Sequence, residues 1–99
     1  MPYGGVGPLN PGADPGQDLP LTTTNATQFA SAKCGFGVIF SAPLANTAAV
    51  YIARATSMTT STGIELQPGD STPLLPAADV AEYFARTGTS TQHVHALAI

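Results

Sequence analysis

Basic side chains are scarce in this sequence of 99 residues, which holds only Lys33, Arg54 and Arg86. Six acidic side chains give a formal net charge of −3, and charged residues make up 9% of the chain. A typical soluble domain has about 25%. Proteins that bind nucleic acid need clustered Lys and Arg to displace counterions, and a polybasic membrane anchor needs a similar cluster. We therefore expect neither nucleic acid nor a membrane among the partners.

The sequence also lacks tryptophan and has one cysteine, Cys34. A single cysteine excludes an internal disulfide and a cysteine-based zinc site. No apolar run approaches the ~20 residues that a membrane-spanning helix needs. The first five residues carry neither the basic nor the apolar region of a secretion signal, so we expect no such signal. A length near 100 residues predicts one domain.

Proline and glycine are concentrated at the N-terminus. Residues 1–20 contain five of the nine prolines and five of the ten glycines. Proline fixes φ and removes a backbone donor, whereas glycine adds backbone freedom, so this composition predicts an extended arm. We predict an arm over residues 1–20, followed by a β domain over residues 21–99; the arm is either a flexible tail without a role or a segment that becomes ordered on a partner. The anchors of the arm on that partner would be its apolar side chains: Tyr3, Val6, Leu9, Leu19 and Leu21.

The rest of the chain has the pattern of short strands. Strands are predicted over residues 35–42, 49–54, 63–67, 71–75, 83–86 and 93–99. In the first of them, alternation places Phe36, Val38 and Phe40 on one face. Turn signals recur every ~8–12 residues. Together these features predict an all-β fold: a small antiparallel β-sandwich or barrel of about six to seven strands with an extended N-terminal arm.

Two hairpins are expected among these strands. At Pro68-Gly69-Asp70, proline presets φ of the first central residue and glycine permits a positive φ at the second. This turn predicts a hairpin in which Ile64 and Leu66 point inward and residues 71–75 return as an edge strand. A second hairpin loop is expected around Gly88.

A short helical turn is predicted between the two hairpins. Residues 76–82 are the only segment of the β domain whose pattern favours helix, and the segment is too short to be stable alone. Asp79 is interpreted as a capping residue of this turn, because short acidic side chains bind free backbone N–H groups at such positions.

The histidines offer the first candidate chemistry. His93 and His95 lie two residues apart on a predicted strand, so their side chains point to the same face. A metal site needs at least one further ligand, and no acidic residue lies near them in the sequence. A Ser–His–Asp hydrolase would need its nucleophile elbow, which is absent, and Cys34 has no neighbouring base. We therefore expect no enzyme, no metal site and no cofactor.

Aromatic residues offer a second possibility, which is carbohydrate binding. Small β-sandwiches often stack sugars on exposed aromatic rings. The phenylalanines are needed for a core of this size, so Tyr51 and Tyr83 are the candidate platform. A receptor- or carbohydrate-binding module of a fibre, tail or other surface structure is therefore the alternative function.

One motif and two features that follow it stand out in the second half of the sequence. They are Ser-Thr-Gly-Ile-Glu-Leu-Gln-Pro-Gly-Asp at residues 61–70, a return strand with Leu74-Leu75-Pro76, and the corner Asp79-Val80. With them, residues 46–97, about half of the chain, resemble small β-sandwich virion proteins of tailed bacteriophages, including capsid decoration or cement proteins. The chain departs from the pattern at Ala53, where glycine often follows the strand, and in the mixed residues 84–86.

This resemblance implies a structural role without catalysis. The chain would be a capsid decoration protein that binds and stabilises the shell of major capsid protein through its β domain and arm. Such proteins commonly sit at symmetry axes, so a homo-oligomer is expected, with a trimer favoured. The expected location is the capsid surface of the virion, after synthesis in the host cytoplasm. The low charge agrees with a surface that other proteins cover.

Overall fold

A computed structural model describes residues 16–22, 25–54, 63–89 and 91–99. Within these ranges the chain forms eight strands and one turn of 3₁₀ helix, Val80–Glu82. The strands are β1 (Gln17–Leu21), β2 (Thr27–Gln28), β3 (Gly37–Ser41), β4 (Val50–Ala53), β5 (Ile64–Leu66), β6 (Leu75–Pro76), β7 (Phe84–Thr87) and β8 (Gln92–Ala98).

The strands form two four-stranded sheets. One sheet has the order β1-β8-β3-β6 and the other has the order β2-β7-β4-β5. All neighbouring strands are antiparallel. The predicted antiparallel β-sandwich is therefore confirmed. The described residues hold eight strands instead of six or seven, because β1 and the two-residue β2 were not expected.

The core consists of the side chains that the two sheets turn toward each other. Phe40 lies at its centre, with its ring centroid 4.8 Å from that of Phe29 and 5.1 Å from that of Tyr83. The buried apolar residues are Leu21, Phe29, Val38, Phe40, Ala42, Val50, Ile52, Leu66, Val80, Tyr83, Ala85, Val94 and Ala96.

Two apolar residues that we expected to point inward do not. Phe36 is 79% exposed, because β3 begins only at Gly37 and the alternation of that strand does not extend back to it. Ile64 is 43% exposed at the first position of the edge strand β5, whereas Leu66 in the same strand is buried. Alternation is maintained by pairing, so it weakens at the ends and edges of a sheet.

The boundary of the arm at residue 20 is also corrected. Residues 17–20 belong to β1, which pairs with β8 from Gln17 opposite Ala96 to Leu21 opposite Gln92. Leu21 is completely buried in the core, so it is not an anchor for a partner, and Leu19 packs against the same core from a partly buried position. Proline is tolerated at position 20 because β1 lies at a sheet edge. The other predicted anchors, Tyr3, Val6 and Leu9, lie outside the described residues.

The turn at Pro68-Gly69 is confirmed, but the hairpin is wrong. Asp70 N–H donates to the carbonyl of Gln67 at 2.9 Å, and Gly69 has a φ of +92°. After the turn, however, the chain joins the opposite sheet: the carbonyl of Asp70 accepts from Ala42 N–H at 2.9 Å. Strands β5 and β6 therefore belong to different sheets. The edge position predicted for the return strand is confirmed by β6.

The second predicted hairpin, around Gly88, is wrong for the same reason. Strand β7 lies in one sheet and β8 in the other, so the connection crosses the sandwich. On the far side of this connection, Thr91 has a φ of 58° and its N–H donates to the carbonyl of Leu21 at 3.1 Å. A loop of this length can join paired strands or opposite sheets, and only tertiary packing selects between the two.

Two buried amide side chains fasten the connection between β3 and β4 to the start of β8. Gln92 Oε1 accepts from the N–H groups of Thr47 at 2.7 Å and Ala48 at 3.1 Å. Gln92 Nε2 donates to Thr47 Oγ1 at 3.0 Å. Asn46 exchanges two bonds with the backbone of His93, at 2.7 and 2.8 Å. Because both amides are buried, these bonds satisfy groups that would otherwise lose water without compensation.

We expect Gln92→Ala to destabilise the fold by about 1–3 kcal/mol, because the buried amide is removed and the backbone N–H groups of Thr47 and Ala48 lose their acceptor. Urea denaturation of the variant measures this loss. Gln67→Ala is the matched control, since the Gln67 side chain is exposed and such changes stay within about 0.5 kcal/mol. Equal stability of the two variants would contradict the role assigned to Gln92.

The predicted helical turn and its cap are confirmed. Asp79 Oδ1 accepts from Ala81 N–H at 2.8 Å, and Glu82 Oε2 accepts from Asp79 N–H at 3.0 Å, which completes a capping box. Asp79 also accepts from the Ser31 hydroxyl at 2.7 Å and from Ala32 N–H at 3.0 Å. The bond from Ala81, followed by the one from Ser31, lowers the pKa of the Asp79 carboxyl below its usual value. This carboxylate therefore joins the turn to the segment before β3.

Because the pKa of Asp79 is lowered in the folded state, its ionised carboxylate stabilises the fold at pH values above the usual pKa of aspartate. That contribution is lost as the pH falls through the folded-state pKa. We expect wild type to exceed Asp79→Asn in unfolding free energy at neutral pH, and the difference to shrink below about pH 4, the usual range of aspartate. Urea denaturation from pH 7 to pH 3 measures it. A difference that is constant with pH would contradict the assignment.

Candidate functional site

The candidate site lies on the solvent side of the sheet that contains β1, β8, β3 and β6. Along β8 the side chains alternate, so that Val94 and Ala96 enter the core while His93, His95 and Leu97 point outward. The expectation that the two histidines share a face is therefore confirmed. We refer to the outward side chains of β1, β8 and β3 as the outer face; they are Asp18, Ile39, Ser41, His93, His95 and Leu97.

Asp18 on β1 lies between the two histidines. Its Oδ2 is 3.0 Å from Nδ1 of His93, and its Oδ1 is 3.2 Å from Nε2 of His95. The register places Asp18 directly opposite His95. No local signal in the sequence reveals this contact, because Asp18 precedes His93 by 75 residues and falls in a segment that we predicted as arm.

The side chains that contact Asp18, and Asp18 itself, are exposed to solvent. The side chains of His93, His95 and Asp18 are 43%, 50% and 48% exposed. Water screens charges at this exposure, so the contacts contribute little to stability. Among the described residues, no group of three or more His, Cys, Asp and Glu side chains is arranged to hold a metal ion. The arrangement places polar side chains of β1 and β8 in contact at the surface.

A row of polar side chains continues across the sheet from Asp18. His95 lies between Asp18 on β1 and Ser41 on β3, and Ser41 forms a bridge with Ser71. A Ser–His–Asp triad needs the carboxylate on one ring nitrogen, the hydroxyl on the other, and donors for an oxyanion. Here the described contacts of the imidazole are with Asp18, which His93 shares. The row brings together the residue types of a triad, and the described contacts do not link them as one.

An open groove of about 440 Å³ runs beside this row. One side is polar, with Asp18, His95 and the two serines, and the other is apolar, with Ile39 and Leu97. Its full lining is Gly16, Gln17, Asp18, Ile39, Ser41, Ser71, His95, Ala96 and Leu97. A groove with one apolar wall and one polar wall is suited to an extended segment of chain.

A second apolar surface lies at one end of the same sheet. The backbone N–H groups of residues 35–37 donate to the carbonyl of Ile99 at 2.7–3.3 Å, which brings Phe36 next to the end of β8. A Cβ placed on Gly37, the first residue of β3, would lie 3.2 Å from Cδ1 of Leu74, so Leu74 is also near this end of the sheet. We refer to Phe36, Leu74 and Ile99, all of them exposed, as the apolar end. Large exposed apolar side chains at one end of a sheet are candidates for a contact surface.

The tyrosine platform is reduced to one residue. Tyr83 is 5% exposed, its hydroxyl donates to the carbonyl of Pro76 at 2.8 Å, and the Arg54 guanidinium lies 5.1 Å from the centre of its ring. It therefore belongs to the core and offers no surface for stacking. Tyr51 is partly buried on the other sheet, between Glu65 and Arg86 in the register. Cys34 is partly buried near the segment that Asp79 binds.

Comparison of the chain with protein-family models, with curated proteins and with solved structures finds no match. Within the described ranges, no helix has the length and apolar content needed to cross a membrane. The function is therefore argued from the surfaces described above.

Because the Asp18 contacts are exposed, we expect Asp18→Ala to cost less than about 1 kcal/mol and, at about pH 5, where imidazoles are ordinarily charged, the cost to shrink as salt is added. Urea denaturation at low and high salt measures both effects. Asp70→Ala is the control: it removes the acceptor of Gln67 N–H within a turn, a bond that salt does not screen in the same way. A cost for Asp18→Ala that is equal at both salt concentrations would contradict an electrostatic contact.

Proposed function

We propose that this chain is a structural virion protein of a tailed bacteriophage: a capsid decoration or cement protein that binds the shell of major capsid protein and stabilises it. The β domain and the N-terminal arm both contribute to binding. The proposal combines the resemblance over residues 46–97 with a fold that offers surfaces to proteins and, in its described part, no metal centre. Its place would be the capsid surface, after synthesis in the host cytoplasm.

The observation that carries the proposal is the apolar end. Phe36 is 79% exposed in a chain whose charged residues are only 9% of the total. A large aromatic side chain in water forgoes about 1.5–3 kcal/mol that burial would provide. Aromatic side chains surrounded by few charges are enriched at the centres of protein interfaces. A protein that covers this end would gain the energy of burying all three side chains.

Oligomerisation belongs to the same proposal. A decoration protein at a symmetry axis presents several copies of each contact surface, and we favour a trimer. Linked copies convert weak single contacts into strong overall binding without any additional contact in each copy. Such multiple binding suits a small protein with an open groove and an apolar end of three residues.

The alternative function, a receptor- or carbohydrate-binding module, has less support. It depended on Tyr51 and Tyr83 as a stacking platform, and Tyr83 is buried. Tyr51 alone, partly buried between two charged neighbours in the sheet, offers a small surface to a sugar ring. The decoration role is therefore favoured.

The direct test is co-sedimentation of the full chain with shells assembled from the major capsid protein of the same phage. We expect Phe36→Ser to weaken binding about tenfold or more, which corresponds to the loss of about 1.4 kcal/mol or more of buried apolar contact. Leu44→Ser is the matched control, since Leu44 is equally exposed but follows the opposite end of β3. Failure of the wild-type chain to sediment with the shells would refute the proposed function.

The contribution of the arm requires a deletion that leaves β1 intact. Removing residues 1–15 spares Gln17–Leu21, whose loss would open the core at Leu21. We expect the shortened chain to retain its β-rich circular dichroism spectrum and to bind shells more weakly than the full chain. Undiminished binding by a folded, shortened chain would show that the β domain is sufficient.

A further inference from the structure

The groove of the outer face lies where the described fold begins. Gly16 and Gln17, at the start of β1, are part of its wall. A Cβ placed on Gly16 would be 3.2 Å from the carbonyl oxygen of Ala96 and 3.8 Å from Cδ1 of Leu97. Gly16, to which residues 1–15 are joined, is therefore part of the groove.

The conformation of Gly16 is typical of a turn. Its φ is +87°, close to the +92° of Gly69. Both glycines follow a proline, in Asp14-Pro15-Gly16-Gln17 and in Gln67-Pro68-Gly69-Asp70. At residues 67–70 this sequence forms a turn with a bond of 2.9 Å from Asp70 N–H to the carbonyl of Gln67, after which the chain joins the opposite sheet. Proline followed by a glycine of positive φ is the signature of a type II turn, and such a turn at residues 14–17 would keep the preceding residues close to the groove.

The composition of residues 1–15 suits the groove. Tyr3, Val6 and Leu9 are spaced three residues apart, and polyproline II has three residues per turn, so in that conformation they share one face. The surrounding prolines favour that conformation. Asp14 is the only charged side chain in the segment, so its apolar part can be covered without removing a charge from water.

We propose that residues 1–15 fold back across the outer face of their own chain and occupy the groove, with Tyr3, Val6 and Leu9 packed against Ile39 and Leu97. The lengths agree. Six steps of polyproline II, from Tyr3 to Leu9, span about 19 Å. The six steps between the seven residues of β8 span about 20 Å, so the three side chains can lie along this strand.

The same chain is favoured over a second copy because the segment begins inside the groove. A tethered segment is present at a high effective concentration, which for short flexible connections is in the millimolar range. A second copy has no such advantage in dilute solution. The inference concerns the free protein, so it stands or falls independently of binding to a capsid shell.

The test uses the full chain with a spin label on a cysteine at position 7, between the proposed contact residues, in a Cys34→Ala background. We expect the label to reduce the amide NMR signals of Ile39, Ser41, His95 and Leu97. The signals of Tyr51 and Glu65, on the opposite sheet, should keep their intensity. Equal intensities on both sheets would overturn the proposal.

Two further measurements make the test specific. In a mixture of spin-labelled chains and separate isotope-labelled chains, we expect no loss of signal; loss that occurs only in this mixture would assign the groove to a second copy and overturn the proposal. Leu97→Ser should abolish the loss within one chain, whereas Ile64→Ser, similarly exposed on the other sheet, should leave it unchanged. Loss of signal that persists in Leu97→Ser would also overturn it.

Discussion

The hydrogen bonds of two buried amides, Asn46 and Gln92, are the constraint on which the rest of the structure depends. They attach the connection between β3 and β4 to the first residues of β8, and so attach one sheet to the other. Since each amide is buried, any arrangement that breaks these bonds leaves polar groups without water or partner. The position of β8 follows from this attachment, and β8 in turn pairs with both β1 and β3.

The outer face is a consequence of that position. Once the start of β8 is held, alternation places His93, His95 and Leu97 toward solvent, and pairing with β1 brings Asp18 between the two histidines. The same pairing sets Gly16 on the rim of the groove. The polar contacts of Asp18, the groove and Gly16 therefore all lie beside β8. A small protein with few charges can in this way concentrate its contact surfaces on one sheet while the opposite side of that sheet builds the core.

Local chemistry predicted the elements better than their connections. The turn at Pro68-Gly69 and the cap at Asp79 follow from residue types that act within four positions, and both are present. The hairpins expected around Gly69 and Gly88 are absent, because each of these connections crosses from one sheet to the other. Strand β1 was missed because it contains Pro20 and directly follows the proline- and glycine-rich residues of the arm, and its pairing partner is more than seventy residues away. The contact of Asp18 with the histidines was missed with it.

The sequence by itself determined the class of the fold, the sites of turning and capping, and the shortage of charge, since these depend on composition and on neighbours along the chain. Only the tertiary structure decided which strands pair, which leucine is buried and which aromatic residue is exposed. Leu21 entered the core and Phe36 remained in solvent, although both have apolar side chains next to strand signals. The physical reason is that burial is a property of the space between two sheets. That space is created by contacts between residues far apart in the chain, and no local pattern encodes it.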